Sequence, residues 1–417
     1  MLNYSLIDMS ELKFYELTPN QRLETLNLPE NVMMALKNAQ DLVSGQIIEN
    51  YVSNFTVPMG ILKHLLLDGT AYNIPMATEE PSVIAAANHG AKMLNAGGGV
   101  HTELLTDNTM IGQILIHQIT DYTALQVFLT AHRDEIFAKA QATHPSIVAR
   151  GGGLKNIELR MVTDNMASID CFIDTCDAMG ANIVNTILAG IIPIFDIFHT
   201  QILAGILSNY ATQQLVSATV CLPFSAVGGQ DIAERIVAIN HFGHHDVYRA
   251  TTENKGLFNG ASAVTLANGN DWRALEAAGH AYAAKTGGYT ALATWSIEQQ
   301  QLKGTLTLPV SVGTVGGAIS ALPQAQNALR IIGERVSANQ LRRMIVATGL
   351  AQNLAALRAI VSDGIQKGHM RMQYRALALQ IGATPDEVPQ LTEKLTQLSR
   401  VDTTIATQYL NELREKS

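Results

Sequence analysis

Glu80, Lys255, Asp271 and His369 are side chains suited to moving protons or holding developing negative charge, and each also has a plainer explanation. Glu80 lies in Glu79-Glu80-Pro81-Ser82, where the helix dipole favours a carboxylate, so a simple cap would account for it. As a proton donor it would need a partly buried site that raises its pKa. Lys255 sits in Asn254-Lys255-Gly256-Leu257-Phe258-Asn259-Gly260, which reads as a loop punctuated by glycine and asparagine. An ammonium there suits an oxyanion, or is only an exposed loop lysine. Asp271 begins a helical pattern that runs through Ala284 and reads as an N-cap. His369 follows Gly368 at the end of a long helical stretch. It suits a mobile acid, since histidine titrates near neutrality, or is a surface residue.

Weaker signals surround these. Asp177-Ala178-Met179-Gly180-Ala181-Asn182 places a glycine in the first turn of an expected helix, where free N–H groups can meet a pyrophosphate. Gly97-Gly98-Gly99 and Gly313-Thr314-Val315-Gly316-Gly317 match neither dinucleotide nor P-loop fingerprints. His241, His244 and His245 have a spacing that can gather three imidazoles. No cysteine or carboxylate zinc pattern accompanies them, so the reading is no metal.

The elements that must position these groups mix helix and strand. Thr18-Pro19 and Pro81 open helices, Ile157 to Met161 and Ser168 to Ile173 read as strands, and Asp177 is expected to cap a helix from Ala178 to about Ala189. Ser337 to Lys367 is strongly helical, and Gln390–Leu398 and Thr403–Glu415 read as two amphipathic helices. The composition, 47% hydrophobic and 15% charged over 417 residues, is that of a folded chain with two or three cores. A formal net charge of -8 gives no global field for nucleic acid. Three isolated cysteines and an N-terminus without an apolar core indicate the cytoplasm. The most apolar stretch, Ile183 to Phe198, contains Asn185, Pro193 and Asp196 and reads as a buried helix, not a membrane span.

Taken in chain order, several segments resemble hydroxymethylglutaryl-CoA reductase of the class II, bacterial type. They are Glu49-Asn50 with Pro58 and Gly60, ATEEPSVIAAA at 77–87, DAMGAN at 177–182, NKGLFNG at 254–260, GND at 269–271, VGTVGGA at 312–318 and GIQKGHM at 364–370. They span most of the chain. The resemblance implies an α+β fold: a large helical and sheet domain (1–109 and 221–375), an inserted ferredoxin-like cofactor-binding domain (110–220) and a small C-terminal helical flap (376–417). It implies reduction of the hydroxymethylglutaryl-CoA thioester to mevalonate and coenzyme A, through a hemithioacetal and mevaldehyde, with two NAD(P)H.

The same resemblance implies residue roles. Glu80 is the general acid, Lys255 polarises the carbonyl, Asp271 sits between them, and His369 protonates the departing thiolate. Ser82, Arg249, Asn259 and Arg375 are implied substrate contacts, Arg249 pairing the free carboxylate. Asp177, Met179, Gly180, Asn182 and Asn209 are implied cofactor contacts. At the position before Pro145, NADH-preferring relatives carry an acid. Here it is His144, with Arg150 and Lys155 nearby, which favours NADPH while leaving NADH possible. The implied assembly is a homodimer, or a higher oligomer, with the site at the subunit interface. Two other classes remain: a non-catalytic acyl-CoA-binding relative, and a metal-dependent hydrolase built on His241, His244 and His245.

Overall fold

The computed structural model describes residues 12–198, 201–362, 366–398 and 400–415. The helix Ala338–Val361 is the axis of the large domain. Ser337 and Gln340 close a reciprocal capping box at its start, and the helix is buried almost all round. Two helices pack closely against it through glycine. A Cβ at Gly90, on Val83–Ala96, would run into the Ala351 carbonyl, and one at Gly260, on Val247–Ala267, would lie 3.0 Å from the Thr348 carbonyl.

The strands of the described residues are β1 (Met59–Leu67), β2 (Thr70–Ala77), β3 (His101–Leu104), β4 (Met110–Ile116), β5 (Gly153–Thr163), β6 (Met166–Asp174), β7 (Ile202–Leu207), β8 (Leu215–Pro223), β9 (Ala293–Glu298) and β10 (Gln301–Pro309). β1 and β2 form a hairpin whose turn, Asp68-Gly69, has positive φ at both residues, the geometry that matches strand twist. The large-domain sheet has the order β3-β8-β10-β9. β8 and β10 alternate buried and less buried residues, so one face covers the helical core.

The small domain is built as β4, helices, β5, β6, helix, β7, with an antiparallel sheet of order β5-β6-β4-β7. That is the ferredoxin-like βαββαβ topology. Its core is separate, built on Ile114, Ile169, Val184, Leu188 and Phe195 among others. The helices Gln366–Gln380, Glu387–Thr396 and Thr403–Arg414 enclose a third core around Leu391, Leu395 and Leu410.

Three sequence expectations need correction, and a fourth, the packed apolar helix interrupted beside Pro193, holds. The 220/221 boundary cuts β8, which pairs with β3 and β10, so the chain returns to the large domain between Leu207 and Leu215. The 375/376 boundary cuts the helix Gln366–Gln380, whose Tyr374 and Ala378 pack in the tail core. The helix expected from Ala178 starts at Ala181, with Gly180 as N-cap. Asp177 instead accepts from Ala338 N–H at 2.7 Å, and its carbonyl accepts from Thr314 N–H at 2.8 Å, which ties residues 177–179 to the large domain. Lastly, Ala181–Phe198 is long and apolar enough to cross a membrane, as is Ala338–Val361. The former turns from α to 3₁₀ geometry at Ile192, beside Pro193, and packs Val184, Ile187, Leu188, Ile191 and Phe195 into the small-domain core.

Candidate active site

One helix, Val247–Ala267, carries Arg249, Lys255 and Asn259. This corrects the reading of Lys255 as a loop residue. Glycine and asparagine have low helix propensity, but here tertiary packing overrides it: Gly260 is needed for close approach to the core helix, and Asn254 is buried, holding Thr290 O and Leu292 N–H. Glu80 comes from the segment between β2 and the helix Val83–Ala96. Its N–H donates to Thr78 Oγ1 at 3.3 Å. Ser82 stands at the N-cap position of that helix without capping it, since its hydroxyl donates to Glu80 Oε1 at 3.2 Å.

Lys255 Nζ lies 2.9 Å from Glu80 Oε2, and Asn259 Nδ2 donates to the same oxygen at 3.5 Å. Glu80, Ser82, Arg249, Lys255 and Asn259 line one cavity of about 380 Å³, closed at the back by Gln352, Asn353 and Ala356 of the core helix. A second cavity, of about 540 Å³, opens on the other side of Lys255 and Asn259, with Thr78, Trp272 and His280 in its wall. The ammonium therefore stands between two spaces. It carries three N–H donors, of which one serves Glu80, so a carbonyl oxygen can take another.

The Asp271 carboxylate is bonded at the start of its own helix, to Arg273 and Ala274. It lines neither cavity. Its carboxylate caps the helix Trp272–Ala283 by accepting from Arg273 N–H at 3.0 Å and Ala274 N–H at 3.1 Å, and it pairs with Arg273 Nε at 3.2 Å. Burial pushes its carboxyl up, but the Arg273 guanidinium and the two N–H groups outweigh that and hold it below the usual range. Arg375 is exposed on the helix Gln366–Gln380; the side chain of His369, on the same helix, lies outside the described residues.

Three buried polar groups of the main cavity were missed by sequence reasoning: Glu253, Gln352 and Asn353. Each sits in a helix facing inward. The stripe Arg249, Thr252, Glu253, Gly256, Asn259 follows the helical period, and that period becomes legible only once 247–267 is taken as helix.

In the small domain, Gly180 has φ 94°, and a Cβ there would lie 2.5 Å from Thr175 Cβ. Only glycine fits, and no side chain caps the helix that follows, which leaves its first-turn N–H groups to a pyrophosphate. Asn209 is exposed two residues beyond β7, whose Leu207 N–H donates to Asn185 on that same helix at 3.0 Å. His144 is half-buried, its Nδ1 3.3 Å from Ser146 Oγ; Arg150 is exposed nearby, and Lys155 donates to Gly151 O at 2.6 Å. These residues fit a phosphorylated dinucleotide. Asp177 is committed elsewhere, to Ala338.

His244 faces Thr290 at 3.0 Å, while His245 Nδ1 turns back to His241 O at 2.8 Å. Among the described residues no three metal-ligand side chains gather.

Comparison with known proteins agrees with this geometry. The profile described as hydroxymethylglutaryl-coenzyme A reductase matches residues 18–374. A 3-hydroxy-3-methylglutaryl-coenzyme A reductase of Archaeoglobus fulgidus is 38% identical over 412 residues, covering 96% of this chain and 94% of that protein. A probable reductase of the same name from Borreliella burgdorferi is 35% identical, covering 80% and 78%. A solved reductase from Streptococcus pneumoniae superposes with a TM-score of 0.75 at 37% identity, covering 96% of this chain and 99% of that one. Another solved structure, the class II enzyme of that organism bound to NADPH in open conformations, matches with the same score and identity, covering 94% and 99%. With the paired Lys255 and Glu80, the ferredoxin-like insertion and these relatives together, the chain belongs to the hydroxymethylglutaryl-coenzyme A reductase family, in its class II branch.

Proposed function

We propose that this chain reduces the thioester of 3-hydroxy-3-methylglutaryl-CoA to mevalonate and free coenzyme A, with Lys255 and Glu80 at the reacting carbonyl. The observation that carries the assignment is the 2.9 Å Lys255–Glu80 pair in a cavity that also holds Ser82, Arg249 and Asn259. Bound NADPH supplies a hydride in each of two steps. Lys255 donates an N–H to the carbonyl oxygen and stabilises the alkoxide that forms there. Glu80 gives that oxygen its proton, Ser82 and Asn259 holding the carboxyl in place. Collapse of the hemithioacetal expels the thiolate, which His369 protonates, and the aldehyde then passes through the same two groups to the alcohol. Arg249 anchors the free carboxylate of the acyl group, and Arg375 is a further substrate contact.

Met179, Gly180, Asn182 and Asn209 would hold the dinucleotide; Asp177 positions their segment. His144 and Arg150 tolerate a 2′-phosphate, so kcat/KM is expected to be higher with NADPH than with NADH, and Arg150→Glu to narrow the gap. Steady-state assays with both cofactors decide this; a large NADH advantage in the parent overturns it.

Asp271 joins the site from a second copy of the chain. Within one chain Lys255 pairs with Glu80 while Asp271 pairs with Arg273, an arrangement that suits a homodimer whose partner supplies the third group. Lys255→Ala and Asp271→Asn subunits should each be inactive. Mixed, they should regain roughly a quarter of parental turnover, since half of randomly formed dimers are mixed and each has one intact site. No recovery in verified mixed dimers would place both residues in one chain's site.

A further inference from the structure

A buried carboxyl lines the substrate cavity and takes no part in the reduction above. Glu253 is 3% exposed. Its Oε1 accepts from Asn240 Nδ2 at 2.7 Å and from Asn353 Nδ2 at 3.3 Å, two amides on two other helices. Its Oε2 is turned to Arg249, one helical turn earlier, at 3.7 Å from Nε. That is outside hydrogen-bond range, and both atoms are buried without a hydrogen-bond partner. An arginine and a carboxyl thus face each other in the cavity wall, close enough to feel each other's charge, with Nε and Oε2 left without a hydrogen bond.

We propose that Glu253 is a positioning residue that sets the charge Arg249 offers to the substrate's free carboxylate: it is ionised in the empty site and takes a proton from solvent when that carboxylate binds. This rests on the reading of Arg249 given above. One guanidinium balances one carboxylate. A second carboxylate brought to the same wall leaves an uncompensated negative charge where water is largely excluded, and the group already least favoured as an anion gives way. Burial pushes the Glu253 carboxyl up from its ordinary value, against the pull of Asn240, Asn353 and Arg249.

Several other charged groups around this helix have partners of their own, Lys255 with Glu80 in the same cavity among them. His244 faces Thr290, Arg342 and Arg358 of the core helix donate to the Val310 and Val227 carbonyls, Glu276 accepts from Ser262, and His280 pairs with Tyr289. Arg249 is the charge that acts on Glu253. Because the coupling is reciprocal, whatever protonates Glu253 also tightens the carboxylate's grip, and KM falls as pH falls through the range in which Glu253 takes its proton while kcat stays flat in this respect.

The test is calorimetric and uses the intact enzyme. Mevalonate carries the carboxylate; mevalonolactone has the same carbon skeleton without it. Titrated in two buffers of different ionisation enthalpy, mevalonate should bind with proton uptake near neutral pH and the lactone with none. Glu253→Gln, a neutral isostere of the protonated form, should lower KM, flatten its pH dependence, leave kcat within about twofold and abolish the uptake. Equal uptake for both ligands, none for either, or unchanged uptake in Glu253→Gln overturns the proposal; if that variant does not fold, the comparison of the two ligands on the parent decides. Arg249→Ala separates the levels. Weakened mevalonate binding there keeps the carboxylate assignment standing whatever Glu253 does, and unchanged binding overturns that assignment as well.

Discussion

Lys255→Ala is expected to cut kcat by about two to three orders of magnitude while leaving the fold intact. The size follows from removal of one preorganised donor aimed at a developing oxyanion, which costs about 2.7–4 kcal/mol of transition-state stabilisation. Stability should barely change. The Lys255 side chain is 63% exposed and its partner Glu80 33%, and exposed ion pairs contribute on the order of 0–1 kcal/mol. Lys255→Arg should recover little, because a planar fork cannot reproduce the position of a compact ammonium that shares Glu80 with Asn259. The check is cofactor oxidation with hydroxymethylglutaryl-CoA beside a thermal melt. A variant that melts like the parent and retains more than about a tenth of its turnover would remove Lys255 from the chemistry.

Arg342→Leu is expected to be the most damaging single change to stability away from the reaction. The residue is 1% exposed. Its Nε donates to Val310 O at 3.1 Å, Nη2 to Val312 O at 3.3 Å and Nη1 to Asn339 Oδ1 at 2.7 Å, with Asn108 Oδ1 also on Nη1. Burial pulls the guanidinium down to about 10, offset by Asp177 and Asp174, so it stays charged at neutral pH. Leucine leaves two buried carbonyls and two amide oxygens without this donor and strips a cation from the two aspartates. The expected loss is about 3–5 kcal/mol, read from denaturant unfolding. Asn108 precedes the first strand of the cofactor domain and Asp177 lies beside its glycine, so KM for the nicotinamide cofactor should rise in any variant that still folds. A loss under about 1 kcal/mol would mean that water replaces the guanidinium at little cost.

How much of this was legible in the sequence varies with the range of the forces involved. Helix starts with local chemistry could be read: Thr18 accepts from Gln21 N–H, Ser337 from Gln340 N–H, and Asp271 from the two N–H groups after it. Those bonds lie within three residues. The helix holding Lys255 could not be read, because its glycines disfavour a helix locally and only the core helix opposite makes them useful. The start of the helix that begins within DAMGAN was misplaced for the same reason, since Asp177 serves Ala338, 161 residues away. Motif order carried the site residues that the large domain brings together, Glu80, Ser82, Arg249, Lys255 and Asn259. It did not disclose Glu253, Gln352 or Asn353, whose meaning is purely one of depth. The ferredoxin-like strand order rests on pairings such as Gln113 with Ile206, which periodicity cannot supply.

The three separate cores have a further consequence. Elements that share no buried apolar surface melt and breathe as independent units, each with its own opening free energy. On the function proposed above, the insertion would loosen its hold on a spent dinucleotide with its own core intact, the Asp177–Ala338 and Thr314–Asp177 bonds being among its ties to the large domain. Heat-capacity scans should accordingly show overlapping transitions instead of one peak, and saturating nucleotide should sharpen and raise only the one belonging to the insertion.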